Sequence, residues 1–268
     1  MTAVYVIGDI HGQYAAMVRV LRNAGLIDAN RRWSGGDAQL WFLGDFVDRG
    51  PDGIGVIELV MQLQNQAADA GGLVQGVIGN HDMLLLAAYR FGRHKSVVAE
   101  AYRTGQHVTP GTVDSFISLW LNSGGFPGDL ARMTRKHVTW LSYLPAMARV
   151  GDKLLAHADS ILYQRYADSI DDVNHFFRKL LTESGFREWD TVIDDFSEHR
   201  AFIRQGGTDR AQTFLKIFDC EQFIHGHTPI SKLTGETATG PLVYADGLCV
   251  NIDQGLYLGD PGFIHQLA

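Results

Sequence analysis

AVYVIGDIHG, residues 3–12, is a β-branched and aromatic run that stops at a glycine and then presents an acid and an imidazole two positions apart. The arrangement returns in QLWFLGDFVDRGP, residues 39–51, and in LVQGVIGNHD, residues 73–82. Short runs of this kind ending at glycine read as strands. Between them, QYAAMVRVLRNAGL (13–26) and GIGVIELVMQLQNQAADAGG (53–72) space their apolar residues as helices do, with stops at Gly25 and at Gly71 and Gly72. Strand, loop and helix in repetition is the signature of an α/β fold with parallel strands. Loops at the carboxyl ends of such strands converge on one crevice, so the three polar loops are expected to meet.

Beyond Asp82 the character changes. Residues 83–145 offer helical patches such as DMLLLAAYRF (82–91) and TVDSFISLWLNSGG (112–125) without a clear strand, which predicts a mainly helical insertion. Strand signals return in DKLLAHAD (152–159), EQFIHGHTP (221–229), PLVYADG (241–247) and LCVNIDQG (248–255), with the helical stretch DDVNHFFRKLLTESGF (171–186) between the first two. Little more than a turn separates the last two, which predicts a β-hairpin and some antiparallel pairing. No internal repeat or linker interrupts the chain, so residues 1–268 are expected to form a single domain.

Composition narrows the class. The chain has 268 residues, 46% hydrophobic and 20% charged, with a formal net charge of -7. That balance disfavours a general grip on nucleic-acid backbone, although it leaves room for local phosphate binding. The two cysteines, Cys220 and Cys249, lie in apolar surroundings outside any CxxC pattern, and read as thiols without a disulfide. MTAVYVIGDI lacks a basic segment followed by a long apolar stretch, and MLLLAAY falls well short of a membrane span. The expectation is a cytoplasmic protein without a membrane partner.

At five strand ends stand Asp9, His11, Asp45, Asp48, Arg49, Asn80, His81, His157 and His227. Singly, each has an ordinary explanation as a turn residue, an N-cap or a hydrogen-bonded histidine. Ligand-type side chains at five converging strand ends are harder to explain that way. Asp9 and His11, at i and i+2, would face one side if the chain is still extended there. Oxygen and imidazole donors without thiolate suit Mn, Fe, Zn or similar ions better than a structural zinc.

GDIHG (8–12), GDFVDRG (44–50), GNHD (79–82), AHAD (156–159) and GHTP (226–229) resemble, in order and spacing, the motifs of the calcineurin-like metallophosphoesterases. VDRG narrows the resemblance to the phosphoprotein phosphatase branch and its bacterial relatives. The resemblance implies a central β-sandwich of two mixed sheets flanked by helices, an α/β (α+β mixed) class. It implies two divalent ions, with Mn first and Fe, Zn, Ni or Co as alternatives. Asp9 and His11 would bind one ion, Asn80, His157 and His227 the other, and Asp45 would bridge them. His81 resembles the general acid, Asp48 its carboxylate partner and Arg49 a phosphate-holding arginine; Asn80 would also face the phosphate. A second arginine would complete the clamp, with Arg210 the candidate and Arg204 the runner-up. The implied reaction is attack of a bridging hydroxide on the phosphate, without a phosphoenzyme. A carboxylate beside His81 would favour its imidazolium form.

Three departures bear on substrate. Asp159 stands where the family very often has glycine; it could tune substrate choice, support His157 from behind or point to solvent, the last being the favoured reading. Asp82 replaces the glutamate of the eukaryotic phosphatases, and GNHDMLLLA is similar to the branch that cleaves dinucleoside tetraphosphates symmetrically. His225, two residues before His227, reads as a supporting or structural residue. Asp48 favours a bacterial-type serine/threonine protein phosphatase acting on a phosphoprotein or a phosphorylated small molecule, because the dinucleotide branch generally has a small residue there. The alternative is a dinucleoside polyphosphate hydrolase; a binding homologue without turnover comes third. Tyr89, Phe91, Tyr102, Trp120 and Trp140 could stack on a base, but aromatics at helical spacing are more often core.

Overall fold

Along β1 (Val4–Ile7) the side chains alternate, Val6 turning to one face and Ile7 to the other. The computed structural model, which describes residues 2–96, 115–196 and 198–267, shows the same alternation organising two sheets. β1, β2 (Gln39–Phe42) and β3 (Leu73–Gly76) are parallel, in spatial order 3-2-1. In the second sheet β4 (Met147–Val150) pairs antiparallel with β5 (Lys153–Ala156); β5, β6 (Gln222–His225) and β8 (Cys249–Asn251) are parallel; β7 (Leu242–Tyr244) closes the far edge antiparallel to β8. β9 (His265–Gln266) runs antiparallel to β1.

Val6, Leu43 and Val77 of the first sheet and its loops meet Ala148, Leu155, Ile224 and Val250 of the second, forming the core of the sandwich. Ile7, Phe42, Leu154, Phe223 and Cys249 face outward and are covered by helices. Burying each large apolar side chain contributes about 1.5–3 kcal/mol. The fold is therefore mixed α/β, two mixed sheets flanked by helices, and the hairpin of β7 and β8 forms where its turn residues predict it.

The helices are α1 (Tyr14–Asn23), α2 (Gly53–Asp69), α3 (Asn80–Phe91), α4 (Phe116–Asn122), α5 (Pro127–Arg132), α6 (Arg135–Ser142), α7 (Leu162–Tyr166), α8 (Ile170–Glu183), α9 (Phe186–Asp195), α10 (Gly207–Ile217) and α11 (Ile230–Thr234). Among the described residues, no named strand lies between β3 and β4, and α3 to α6 occupy that interval. β4, β9, α9 and α10 carry no signal strong enough to anticipate. MARV is a strand only because β5 pairs with it, Met147 opposite Ala156. Both cysteines are free, and no helix among the described residues is long and apolar enough to cross a membrane. Tyr102 lies outside the described residues.

α2 starts just after the VDRG turn, and its first amides are held from two sides. Asp52 accepts from Gly55 N, while buried Asp129 of α5 accepts from Gly53 N at 3.0 Å and Ile54 N at 3.1 Å. Asp129→Ala strands both amides inside the protein, so a loss of about 2 kcal/mol is expected in urea unfolding. A loss under about 0.5 kcal/mol would mean that water replaces the carboxylate.

Candidate metal centre and acid dyad

Six parallel strands end on the same side of the sandwich, and their loops bond across it. His227 N donates to Asp9 Oδ1 at 3.0 Å, His157 Nδ1 donates to the Leu43 carbonyl at 2.7 Å, and the Asp45 carbonyl accepts from both Ile10 N and His11 N. A Cβ on Gly226 would stand 2.2 Å from Asp9 Oδ1, so only glycine admits the carboxylate there. His11, Asp45, Asp48, Arg49 and His227 all have φ between 48° and 71°, a left-handed backbone that tight loops concentrate at functional sites. Asp9 and His11 come together because the chain coils at His11, with φ 48°, not because it stays extended; Asp9 Oδ2 and His11 Nε2 are 3.8 Å apart.

The structure gathers nearly all the residues that the sequence singled out. Asp45 belongs to two candidate ligand groups: His11, Asp45 and His81 form one, and Asp45, His157 and His227 the other. Asp45 Oδ2 lies 3.5 Å from His11 Nε2, and Asp45 Oδ1 lies 3.5 Å from His157 Nε2. Asn80 Oδ1 is 3.0 Å from His157 Nε2 and 3.1 Å from His227 Nδ1. His11 Nδ1 donates to Val47 O as His157 Nδ1 does to Leu43 O, which leaves each Nε2 lone pair facing the centre. Burial, reinforced by neighbouring imidazoles, holds His11 and His227 well below the usual imidazole pKa, so both are neutral and able to ligate.

These donors fit divalent ions. Lone pairs of His157, His227 and Asn80 converge without enough protons to satisfy them. Burial and the charges of Asp253 and Asp45 push Asp9 well above the carboxylate range, as crowded anions do when cations are scarce. An ion between these groups relieves both conflicts.

Asp82 has a positional role. Fully buried, it accepts from Asp45 N and Gly79 N through Oδ2 and from Phe46 N through Oδ1, each at 2.9 Å, binding the second loop to the third.

His81 Nδ1 donates to Asp48 Oδ2 at 2.9 Å, and Asp48 Oδ1 accepts from Trp120 Nε1 at 2.7 Å. Trp120 is thus buried support for the dyad and has no face open to a base. Burial lowers His81 to about 4 against the attraction of Asp45, and raises Asp48 to about 8. At neutral pH the dyad still holds one proton between ring and carboxylate. Arg49 spans the lone pairs of His11 and His81, each at 2.9 Å, with its Cζ 4.5 Å from the centre of the Tyr257 ring.

Asp159 does not point to solvent. It is buried, accepting from Phe202 N at 2.8 Å and the Tyr244 hydroxyl at 2.7 Å, because the segment before α10 folds over it. His225 shares that network: its Nε2 meets Tyr244 Oη at 2.6 Å and its Nδ1 lies 3.0 Å from the Gly226 carbonyl. Arg210 turns its guanidinium to the Ala201 and Gln205 carbonyls, and Arg204 is exposed. Arg200 follows His199, which the fold brings to His227. The ring of the preceding residue, His199, lies 5.6 Å from that of His227, and Arg200 has φ 64° and a buried Nε without a partner. No local pattern distinguishes it in SEHRAFIRQ, because folding of that segment over Asp159 decides its place.

The family model for calcineurin-like phosphoesterases matches residues 2–231, and the chain belongs to that family, whose members use divalent metal ions. A symmetrical bis(5'-nucleosyl)-tetraphosphatase of Chromobacterium violaceum is 42% identical over 85 residues, 32% of this chain and 26% of that protein. Shewanella-like protein phosphatase 2 of Arabidopsis thaliana is 35% identical over 78 residues, 29% of this chain and 20% of that protein. The chain thus matches well under half the length of either relative. A cold-active protein-tyrosine phosphatase of a Shewanella species has the same fold, with a TM-score of 0.73 over all of this chain and 75% of that one, at 20% identity.

Proposed function

We propose that the protein hydrolyses phosphate monoesters, as a serine/threonine protein phosphatase of bacterial type. Asp9, His11 and Asp45 would hold one divalent ion, and Asp45, Asn80, His157 and His227 a second. Two such ions would supply an acidified water and a charge clamp for in-line displacement. With its Nε2 lone pair given to an ion, His11 would no longer accept from Arg49, whose guanidinium fork would then be free for phosphate oxygens. Asn80 and Arg200 would flank the same phosphate.

The observation that carries this reading is the braced acid: His81 held by Asp48, and Asp48 by Trp120. A serine or threonine alkoxide is a strong base and needs a proton as it leaves. A nucleotide phosphate needs one far less, so an acid built this firmly favours alkoxide leaving groups. The tetraphosphatase relative supports the second reading, symmetrical cleavage of dinucleoside polyphosphates. Phosphopeptide and dinucleoside tetraphosphate should be assayed side by side with added Mn²⁺; faster turnover of the phosphopeptide is expected, and the reverse order would establish the second reading.

Arg200→Ala is expected to raise KM for a phosphopeptide about tenfold or more, the worth of one charge-assisted contact. Arg210→Ala should stay near wild type. If Arg210→Ala carries the KM effect instead, the assignments exchange.

A further inference from the structure

Five of the six parallel strands end in the motif residues already described. The sixth, β8, ends in Asn251-Ile252-Asp253-Gln254-Gly255, an apolar run followed by an acid and a glycine, which repeats the opening pattern of the chain. Asp253 is fully buried and fixed on all sides. Its amide donates to Asn251 Oδ1 at 2.8 Å, its carbonyl accepts from Ile230 N at 3.0 Å, and its Oδ1 accepts from Gly255 N at 3.0 Å. The segment lies flush against the first motif: a Cβ on Gly8, the residue before Asp9, would stand 2.4 Å from Ile252 O and 3.0 Å from Asp253 Cα.

The remaining carboxylate oxygen, Oδ2, is buried and has no hydrogen-bond partner. The charges that act on this carboxylate are the anions Asp9 and Asp45 and the cations Arg49 and Lys232. Neither cation is free to pair with it. Arg49 is committed to His11 and His81, and Lys232 Nζ donates to the Tyr257 hydroxyl at 2.9 Å. A rigidly held, unpaired carboxylate oxygen beside two further carboxylates is a costly arrangement in a protein interior unless a cation meets it.

We propose that Asp253 is a third carboxylate for the ion held by Asp9 and His11, strengthening that position and biasing it toward hard, oxygen-seeking ions. Resting on the two-ion reading above, the consequence is an unequal pair. The Asp9 side gathers three carboxylates and one imidazole, while the Asn80 side has two imidazoles, an amide and the shared Asp45. Oxygen-rich, anionic surroundings favour Mn²⁺, whereas imidazoles suit Zn²⁺.

The test is titration of the full chain, stripped of metal, with Mn²⁺ alone, following heat and the paramagnetic signal of free Mn²⁺. Wild type is expected to take up about two ions in two affinity classes. Asp253→Asn should weaken the tighter class by roughly 10–100-fold and spare the other, while the exposed Asp246→Asn leaves both unchanged. An Asp253→Asn isotherm that superimposes on a two-class wild type overturns the proposal and leaves the two-ion reading intact. A wild type that takes up no Mn²⁺ overturns both. Should Asp253→Asn not fold, the tighter class must vanish in His11→Ala and survive in His227→Ala; the opposite pattern overturns the proposal.

Discussion

Asp45→Asn is expected to lower phosphate-ester hydrolysis by about 10³-fold or more and to reduce bound metal well below that of wild type. The carboxylate stands in both candidate ligand groups, 3.5 Å from His11 Nε2 on one side and 3.5 Å from His157 Nε2 on the other. An amide removes the negative charge and turns a donor N–H toward lone pairs that need a cation. The loop itself should survive, because its backbone is held independently: Asp82 accepts from Asp45 N, and the Asp45 carbonyl accepts from Ile10 and His11. Elemental analysis together with phosphate release checks the expectation. Two retained ions and activity within tenfold of wild type would remove Asp45 from the bridging position.

His81→Ala should produce a loss that depends on the leaving group. With a phosphoserine peptide the expected fall is about 10²–10⁴-fold, the usual worth of a positioned general acid. With an aryl phosphate, whose phenolate scarcely needs a proton, the fall should stay within about tenfold. His81 also lies in the ligand group of His11 and Asp45, so metal content must be measured on the same sample. Equal losses on both substrates, accompanied by loss of metal, would make His81 a ligand rather than an acid. Unchanged metal with a steep dependence on leaving group supports the dyad that Asp48 and Trp120 hold in place.

Much of the centre was legible because its residues sit at strand ends, and a strand end is a local event. An apolar run, a glycine and a polar turn are encoded within about ten residues, and parallel strands carry such turns to one edge as a matter of topology. The supports were not legible. Trp120 reaches Asp48 across 72 residues, Asp129 caps α2 from the far side of the intervening helices, and Asp159 is buried only because the segment before α10 closes over it. Arg210 bonds to the Ala201 and Gln205 carbonyls, since a guanidinium's partner is set by which carbonyls and rings the fold brings near.

The sequence by itself determined the rhythm of strand, loop and helix, the order of the loops and the identity of the side chains they carry, because each depends on contacts among near neighbours, while the two mixed sheets were implied by the family resemblance. Only the tertiary structure decided which residues hold Asp45, His81 and Arg49 in place, that Asp159 faces inward and that one oxygen of Asp253 is buried without a partner. Those outcomes depend on distances between segments far apart in the chain and on how much water the packing excludes, and neither quantity is written in any local pattern.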